Sequence, residues 1–217
     1  SPGCRIWIIG NEPNLAVERP GGPSGEVITP EMYADCFLKC RTEIRRRPGH
    51  EDDQVVVAAV GPWNVETRYP GNPNGDNLVF SDATMGAPFE AYRYHFRAYR
   101  DFMEAIPERL RNRPVYITET DPIEPWKNEN TGWVRNAYQE IHRWNQDLEH
   151  QPIQAVILYR WIIGNPHSPQ EIGWAIENKP GVQEDLKAAM ANEYRVVPPW
   201  TKPAYRVAWL KVTVPTR

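Results

Sequence analysis

Two short runs of apolar residues, each followed by a glutamate, constrain the fold of this chain most strongly. The first run covers residues 6–9 (IWII) and leads through Asn11 to Glu12, and the second covers residues 115–118 (VYIT) and leads to Glu119. A short apolar run without alternation is typical of a strand buried on both faces, as in a parallel sheet. Because parallel strands present their carboxyl ends at one edge, both glutamates are expected at that edge.

A pair of carboxyl groups at one sheet edge suits glycoside hydrolysis. That reaction needs one carboxylic acid to protonate the leaving oxygen and one carboxylate to attack the sugar or to activate water. Most glutamates lie on protein surfaces for no catalytic reason, so Glu12 or Glu119 alone would be weak evidence. Their matched positions after two strands favour a catalytic pair.

The rest of the chain alternates between strand and helix patterns, which predicts an α/β fold with four β/α units. Two further strands are predicted over residues 54–60 and 154–159. Thr29 and Pro30 form a helix start, because threonine is a good N-cap and proline fits the first helical position. The remaining predicted helices are residues 88–111, a helix containing Val134, Tyr138, Ile141 and Leu148, and residues 183–194 with Leu186 and Met190 inward.

Three segments, taken in order, resemble a known family. Residues 10–13 (GNEP), 117–119 (ITE) and 158–161 (LYRW) look like strands four, seven and eight of the retaining (β/α)8-barrel glycoside hydrolases. This clan includes cellulases, mannanases and β-xylosidases. The resemblance implies a partial TIM barrel, made of strands 4, 5, 7 and 8 with their helices, that binds an oligosaccharide or polysaccharide.

The resemblance also implies roles for individual residues. Glu12 would be the general acid/base and Glu119 the nucleophile, while Asn11 would contact the sugar 2-hydroxyl and Trp161 would form a stacking floor for the ring. The chain holds 9 Trp and 10 Tyr, and aromatic faces stack on sugars, although they also fill cores. Two more tryptophans that follow strands are expected to line the cleft or to lean over it, Trp63 and Trp126.

The chain departs from the family in its number of units. The barrel needs eight β/α units, and the first three and the sixth strand have no counterpart here, nor does the arginine that usually supports the nucleophile. Three alternatives stay open: a fragment, a shortened gene product, or a half that pairs with a second copy or another chain. Residues 1–196 are expected to form the incomplete barrel, and residues 197–217 a linker and the first strand of a following β module.

Composition argues against several other classes of function. The net charge of −3 gives no electrostatic case for nucleic acid or an anionic membrane, and no apolar stretch approaches the roughly 18 residues of a membrane span. The 3 cysteines form neither a disulfide framework nor a zinc pattern and do not identify the compartment. No phosphate-binding glycine loop follows a strand, which argues against a dinucleotide or nucleotide fold. The sequence also shows no His/Cys ligand cluster, so no cofactor and no metal are expected.

Two rival interpretations remain open. One is a non-catalytic carbohydrate-binding or interaction module that has kept a tryptophan-lined edge and lost turnover. The other is a (β/α) enzyme of unrelated chemistry in which Glu12 and Glu119 ligate a metal. The absence of a histidine near either glutamate disfavours the metal, because histidine is a common ligand at catalytic metal sites.

Overall fold

The computed structural model describes residues 3–61, 79–122, 124–192 and 194. The protein mixes helices with short parallel strand pairs, as the α/β prediction requires, and divides into two compact units, Ser1–Tyr69 and Pro70–Arg217. Trp63 and the expected domain boundary after residue 196 lie outside the described residues. None of the helices in the described part of the chain has the length and apolar character needed to cross a membrane.

The first unit is a strand–helix–strand arrangement. Strand β1 (Ile6–Ile9) and strand β2 (Gln54–Val57) pair in parallel with Ile6 opposite Gln54, and helix α1 (Pro30–Arg45) lies between them in sequence. The Thr29 side chain accepts a hydrogen bond of 3.2 Å from the Met32 amide, which confirms the predicted helix start. The least exposed positions of α1 include the predicted stripe of Tyr33, Phe37, Cys40 and Ile44.

The prediction that β1 is buried on both faces is wrong. Ile6 and Ile8 are 46% and 45% exposed, while the alternate residues Trp7 and Ile9 are half-buried. The physical reason is the number of elements, since the described residues of this unit supply one α-helix for a sheet that has two faces. An apolar run alone cannot show whether a second layer is present.

The amino ends of β1 and β2 are joined by a buried carboxylate. Asp53 accepts hydrogen bonds from the Trp7 indole nitrogen at 2.7 Å and from Arg5 at 3.1 Å, and the His50 Nδ1 atom lies 2.6 Å from it. These contacts, led by the Trp7 hydrogen bond, lower the pKa of Asp53 to about 2. The Asp53 carbonyl also accepts a hydrogen bond of 3.0 Å from Arg45 on α1. Asp53 therefore connects β1, β2 and α1 at this end of the unit.

We expect the stability of the first unit to fall in acid because of Asp53. A carboxyl group whose pKa is lower in the folded state stabilises the fold above its ordinary pKa, and this contribution disappears as the pH falls through the folded value. The free energy of unfolding, measured by urea titration, should therefore decrease from about pH 4 towards pH 2, and Asp53→Asn should lack this part of the decrease. The exposed neighbour variant Asp52→Asn is the control, and an unchanged pH profile in Asp53→Asn would contradict the assignment.

The described residues of the second unit form two strands, four helices and two 3-10 turns. Strand β3 (Val115–Thr120) and strand β4 (Ile153–Leu158) pair in parallel, which confirms both predicted strands. The helices of this unit are α2 (Tyr99–Ala105), α3 (Trp133–Gln146), α4 (Pro169–Trp174) and α5 (Pro180–Met190), and two 3-10 turns cover Phe96–Ala98 and Glu108–Leu110.

Helix α3 packs against α5 and against strand β4, and both helices contribute to the core of this unit. The buried apolar residues of these two helices include Val134, Ala137, Ile141, Val182 and Ala189. Two apolar residues of the predicted helices are not in the core, because Leu148 is 98% exposed and Met190, which was expected to face inward, is 58% exposed. Leu148 lies beyond the end of α3, whereas on α5 the inner positions are those of Val182 and Ala189, not that of Met190.

The predicted helix over residues 88–111 is also wrong. Only α2 and its flanking 3-10 turns are helical, and Thr84 forms an antiparallel bridge with Arg93. Hydrogen bonds from Met85 to the Tyr92 carbonyl and from Tyr94 to the Ala83 carbonyl direct the backbone into that bridge. The residues of this segment that reach the core include Tyr99 and Met103 in α2 and Phe96 in the 3-10 turn before it.

A buried ion cluster joins α2 to α3. Glu140 on α3 is 1% exposed and accepts hydrogen bonds from Arg97 at 2.9 Å and Arg100 at 2.6 Å. Arg97 also bonds the more exposed Asp82 at 2.6 Å. Burial raises the pKa of the neighbouring Tyr99 hydroxyl to about 12, so this group stays protonated near Glu140.

Candidate functional site

The Glu12 loop leaves β1 through two residues in left-handed backbone conformation. Gly10 has a φ of +85°, which glycine adopts without cost, and Glu12 has a φ of +34°, which is unusual for a residue with a Cβ. The Leu15 amide donates to the Glu12 carbonyl at 2.9 Å and closes the turn. Non-glycine residues in this region cost about 1–3 kcal/mol and cluster at functional sites.

Two side chains hold the carboxyl ends of β1 and β2 together. The Tyr33 hydroxyl donates to the Ile9 carbonyl at 2.7 Å and accepts from the Ala58 amide at 2.6 Å. The Asn14 side chain makes a matched pair of hydrogen bonds with the Gly61 backbone, at 2.8 Å and 2.7 Å. Glu12 therefore lies on a loop that is fixed to the neighbouring strand on both sides.

The Glu12 carboxyl group has a raised pKa. Partial burial is the larger cause, and the negative charge of Glu18 is the second. A raised pKa is what a general acid needs near neutral pH. In the first unit the like charge comes from Glu18, a residue that the sequence patterns did not single out.

We expect Tyr33→Phe to destabilise the protein by about 1–3 kcal/mol, because it leaves the Ile9 carbonyl and the Ala58 amide without their shared partner. Chemical unfolding measures this cost. Tyr92→Phe is the matched control, since Tyr92 is 53% exposed and its loss of a hydroxyl should change the free energy of unfolding by less than about 0.5 kcal/mol. Equal effects of the two variants would contradict the role of Tyr33.

Glu119 lies near the end of β3 and is exposed. The register between β3 and β4 shifts between Ile117 and Thr120, where Thr120 pairs with Leu158. Ile117 packs against the core of the second unit, and strict alternation would place Glu119 on the same side. An irregularity of this kind can redirect a side chain, which accounts for an exposed carboxylate two residues after a core residue.

Trp161 follows β4 at the same edge of the pair. The indole is 39% exposed, and the Trp161 carbonyl accepts a hydrogen bond of 2.8 Å from the Glu177 amide. The preceding residue, Arg160, makes an ion pair of 2.5 Å with Glu171 on α4. Backbone and side-chain contacts thus fix the segment that presents Trp161.

Helix α4 was not predicted, although the sequence contains a signature for it. Ser168 is the N-cap residue, Pro169 occupies the first helical position and Glu171 stands three residues after the cap. This is the spacing of a capping box, and the Ser168 hydroxyl accepts a hydrogen bond of 3.3 Å from the Glu171 amide. That motif could have predicted the start of α4, but not that Glu171 would pair with Arg160.

Trp126 is buried and does not form an open surface on which a sugar ring could stack. Its indole is 6% exposed, donates to the Tyr159 carbonyl at 2.7 Å and packs edge-on against Trp133 at 5.5 Å. Little of its surface is left for a sugar ring. Asn11 is exposed on the Glu12 loop, and Trp63 lies outside the residues that the structure describes.

The residues of the predicted site are divided between the two units. In the first unit Asn11 and Glu12 follow the carboxyl end of β1, and in the second unit Glu119 and Trp161 lie at the carboxyl ends of β3 and β4. Within the described ranges there is no group of three or more His, Cys, Asp or Glu residues arranged to hold a metal ion. The chemistry that these residues can supply is that of one carboxyl group in each unit and, in the second unit, an exposed aromatic ring.

Comparisons of the chain with models of protein families, with curated proteins and with solved structures found no match.

Proposed function

We propose that this protein is a retaining β-glycoside hydrolase built on a partial (β/α)8 barrel, with Glu12 as general acid/base and Glu119 as nucleophile. The observation that carries the proposal is the position of both glutamates at the carboxyl ends of parallel strands. Active sites of (β/α)8 barrels lie at that end of their strands. The raised pKa of Glu12 supports the acid role.

The proposed reaction has two steps. In the first, a Glu119 oxygen attacks the anomeric carbon while Glu12 gives its proton to the leaving oxygen, so that the glycosidic bond breaks and a glycosyl ester forms. In the second, Glu12 takes a proton from water, the water oxygen attacks the anomeric carbon and Glu119 leaves as a carboxylate. Two inversions give net retention.

The other proposed residues position the sugar. Asn11 would hydrogen-bond the 2-hydroxyl beside Glu12, and Trp161 would stack under the ring at the cleavage point, for which its exposed indole is suited. Trp63 and Trp126 would belong to the cleft wall. Of these two, Trp126 would act through the loop that it anchors to Tyr159, since most of its indole is packed.

The test of the acid role is the dependence of the Glu12→Gln variant on the leaving group. A good leaving group such as dinitrophenolate needs no proton in the first step, so kcat/KM for its β-glycosides should fall less than about tenfold, whereas kcat/KM for alkyl β-glycosides should fall about 10²–10⁴-fold. Steady-state kinetics measure both, and proton NMR of the first-formed sugar anomer tests retention. An equal loss for both substrates would contradict the assignment of Glu12.

The second candidate function is a carbohydrate-binding module without turnover. It is favoured by the 39% exposure of Trp161 and by the four strands of the described residues, where a closed barrel has eight. Affinity electrophoresis in polysaccharide gels tests it, with Trp161→Ala as the variant and Tyr92→Ala as the control for loss of an exposed aromatic residue. Binding that depends on Trp161, together with no hydrolysis by the wild type, decides for the module.

The enzyme proposal also includes assembly with further strands, supplied by a second copy or by another half-barrel. The apolar side chains that such strands would cover include Ile6, Ile8 and Ile157, all of which are exposed. Light scattering on the purified chain measures the assembly. A monomer that hydrolyses glycosides would contradict this part of the proposal but not the roles proposed for Glu12 and Glu119.

A further inference from the structure

The second unit contains a cavity that Asn11, Glu12, Glu119 and Trp161 do not line. It has a volume of about 540 Å³ and lies between the loop after β3, the first turns of α3 and α5, and residues 79–81. This volume is within the range of small-molecule sites in proteins. Its floor is made of buried apolar residues, among them Val79, Trp126, Trp133, Val134 and Val182.

The walls of the cavity are fixed by hydrogen bonds and close contacts. Trp126 is held by the Tyr159 carbonyl, and Asp185 on α5 accepts from the Val134 amide at 2.8 Å and from Arg135 at 2.8 Å. Gly181 lies so close to the loop that a Cβ there would be 2.7 Å from the carbonyl carbon of Glu129. A site with such walls is formed before any ligand arrives, which lowers the entropic cost of binding.

The charges around the cavity favour a cation. Its charged lining residues are Glu124, Lys127, Glu129 and Asp185. Asp185 is neutralised by its ion pair with Arg135, so the exposed lining residues leave two carboxylates, those of Glu124 and Glu129, against one ammonium group, that of Lys127. A positively charged ligand group near the mouth would meet a net negative charge, while its apolar body would meet the floor.

We propose that this cavity binds a small organic cation with an aromatic or otherwise apolar body, such as an aryl ammonium ion. The apolar part would enter between Trp133 and Val182, and the charged group would stay at the mouth near Glu124 and Glu129. This binding is separate from the glycosidase proposal and does not depend on Glu12 or Glu119.

Titration with phenyltrimethylammonium, followed by NMR of the full chain, tests the proposal. The indole N–H signals of Trp126 and Trp133 should shift with a Kd on the order of 1 mM. Benzenesulfonate, which has a similar body and a negative charge, should bind at least about fivefold more weakly. Equal binding of the two compounds, or no shift at either indole, would overturn the proposal.

Charge variants at exposed positions test the mouth without disturbing the core. The double variant Glu124→Gln/Glu129→Gln should weaken binding of the cation by about fivefold, and Lys127→Gln should strengthen it by about twofold. Glu108→Gln removes an exposed carboxylate that does not line the cavity and should leave Kd unchanged. If the double variant binds as well as Glu108→Gln does, the carboxylates have no role and the proposed site is wrong.

Discussion

Glu119→Ala is expected to lower kcat for aryl β-glycosides by at least about 10⁴-fold, because it removes the atom that forms the covalent intermediate. The substitution should cost little stability, since Glu119 is exposed. Steady-state kinetics with the wild type and the variant measure the loss, and thermal unfolding shows that the variant is folded. Added azide, a small anion that can enter the space of the lost carboxylate, should restore part of the rate and form a glycosyl azide.

The matched control for this prediction is Glu108→Ala. It removes a glutamate from the same unit at an exposed position in the 3-10 turn before β3, and it should keep wild-type kinetics. If the Glu119→Ala variant keeps more than about a tenth of the wild-type rate, Glu119 is not the nucleophile. A wild type without any hydrolysis would favour the binding module.

Glu140→Ala is expected to cost about 3–5 kcal/mol of folding free energy. The reason is that Arg97 and Arg100 would lose the carboxylate that compensates them in a buried setting. Removing one partner of a buried ion pair leaves the other charge unpaired, which is costlier than losing a surface pair. Urea unfolding of the wild type and the variant measures the difference.

Asp82→Ala provides the comparison within the same cluster. Asp82 also pairs with Arg97, but its side chain is 63% exposed, so its loss should cost less than about 1 kcal/mol. A cost of Glu140→Ala that is no larger than that of Asp82→Ala would show that the buried pair is not what joins α2 to α3.

The sequence patterns predicted the strands and the start of α1 because these depend on neighbouring residues. Short apolar runs marked β1 and β3, and the Thr29–Pro30 cap marked α1. Their success has a local cause, since capping and strand propensity act over a few positions. Burial of β1 was not predictable in this way, because it depends on how many layers cover the sheet.

Other features depend on contacts between distant residues and gave no local pattern. The N-cap residue of α3 is Gly132, which has no side chain to cap the helix, and Asp185, 51 residues from Val134, accepts from the Val134 amide. Trp126 lies in a loop whose sequence suggests exposure, yet its hydrogen bond to Tyr159 and its packing on Trp133 bury it. A tryptophan in a loop cannot be assigned to a cleft or to a core before its partners are known.

Both glutamates of the candidate site are predictions from sequence order and strand ends, whereas the residues that hold the Glu12 loop were found only in the structure. Tyr33 is part of an ordinary helical stripe, and its hydroxyl joins β1 to β2 only because α1 crosses the ends of both strands. Asn14 likewise shows no motif, and its pairing with Gly61 depends on the return of the chain.

The distance between the Glu12 and Glu119 carboxyl groups in a crystal of the active assembly tests the central claim most directly. The account predicts a separation of about 5–5.5 Å, the spacing at which one carboxylate attacks the sugar while the other protonates the leaving group. A separation beyond about 10 Å, or two carboxyl groups at opposite ends of the molecule, would contradict it.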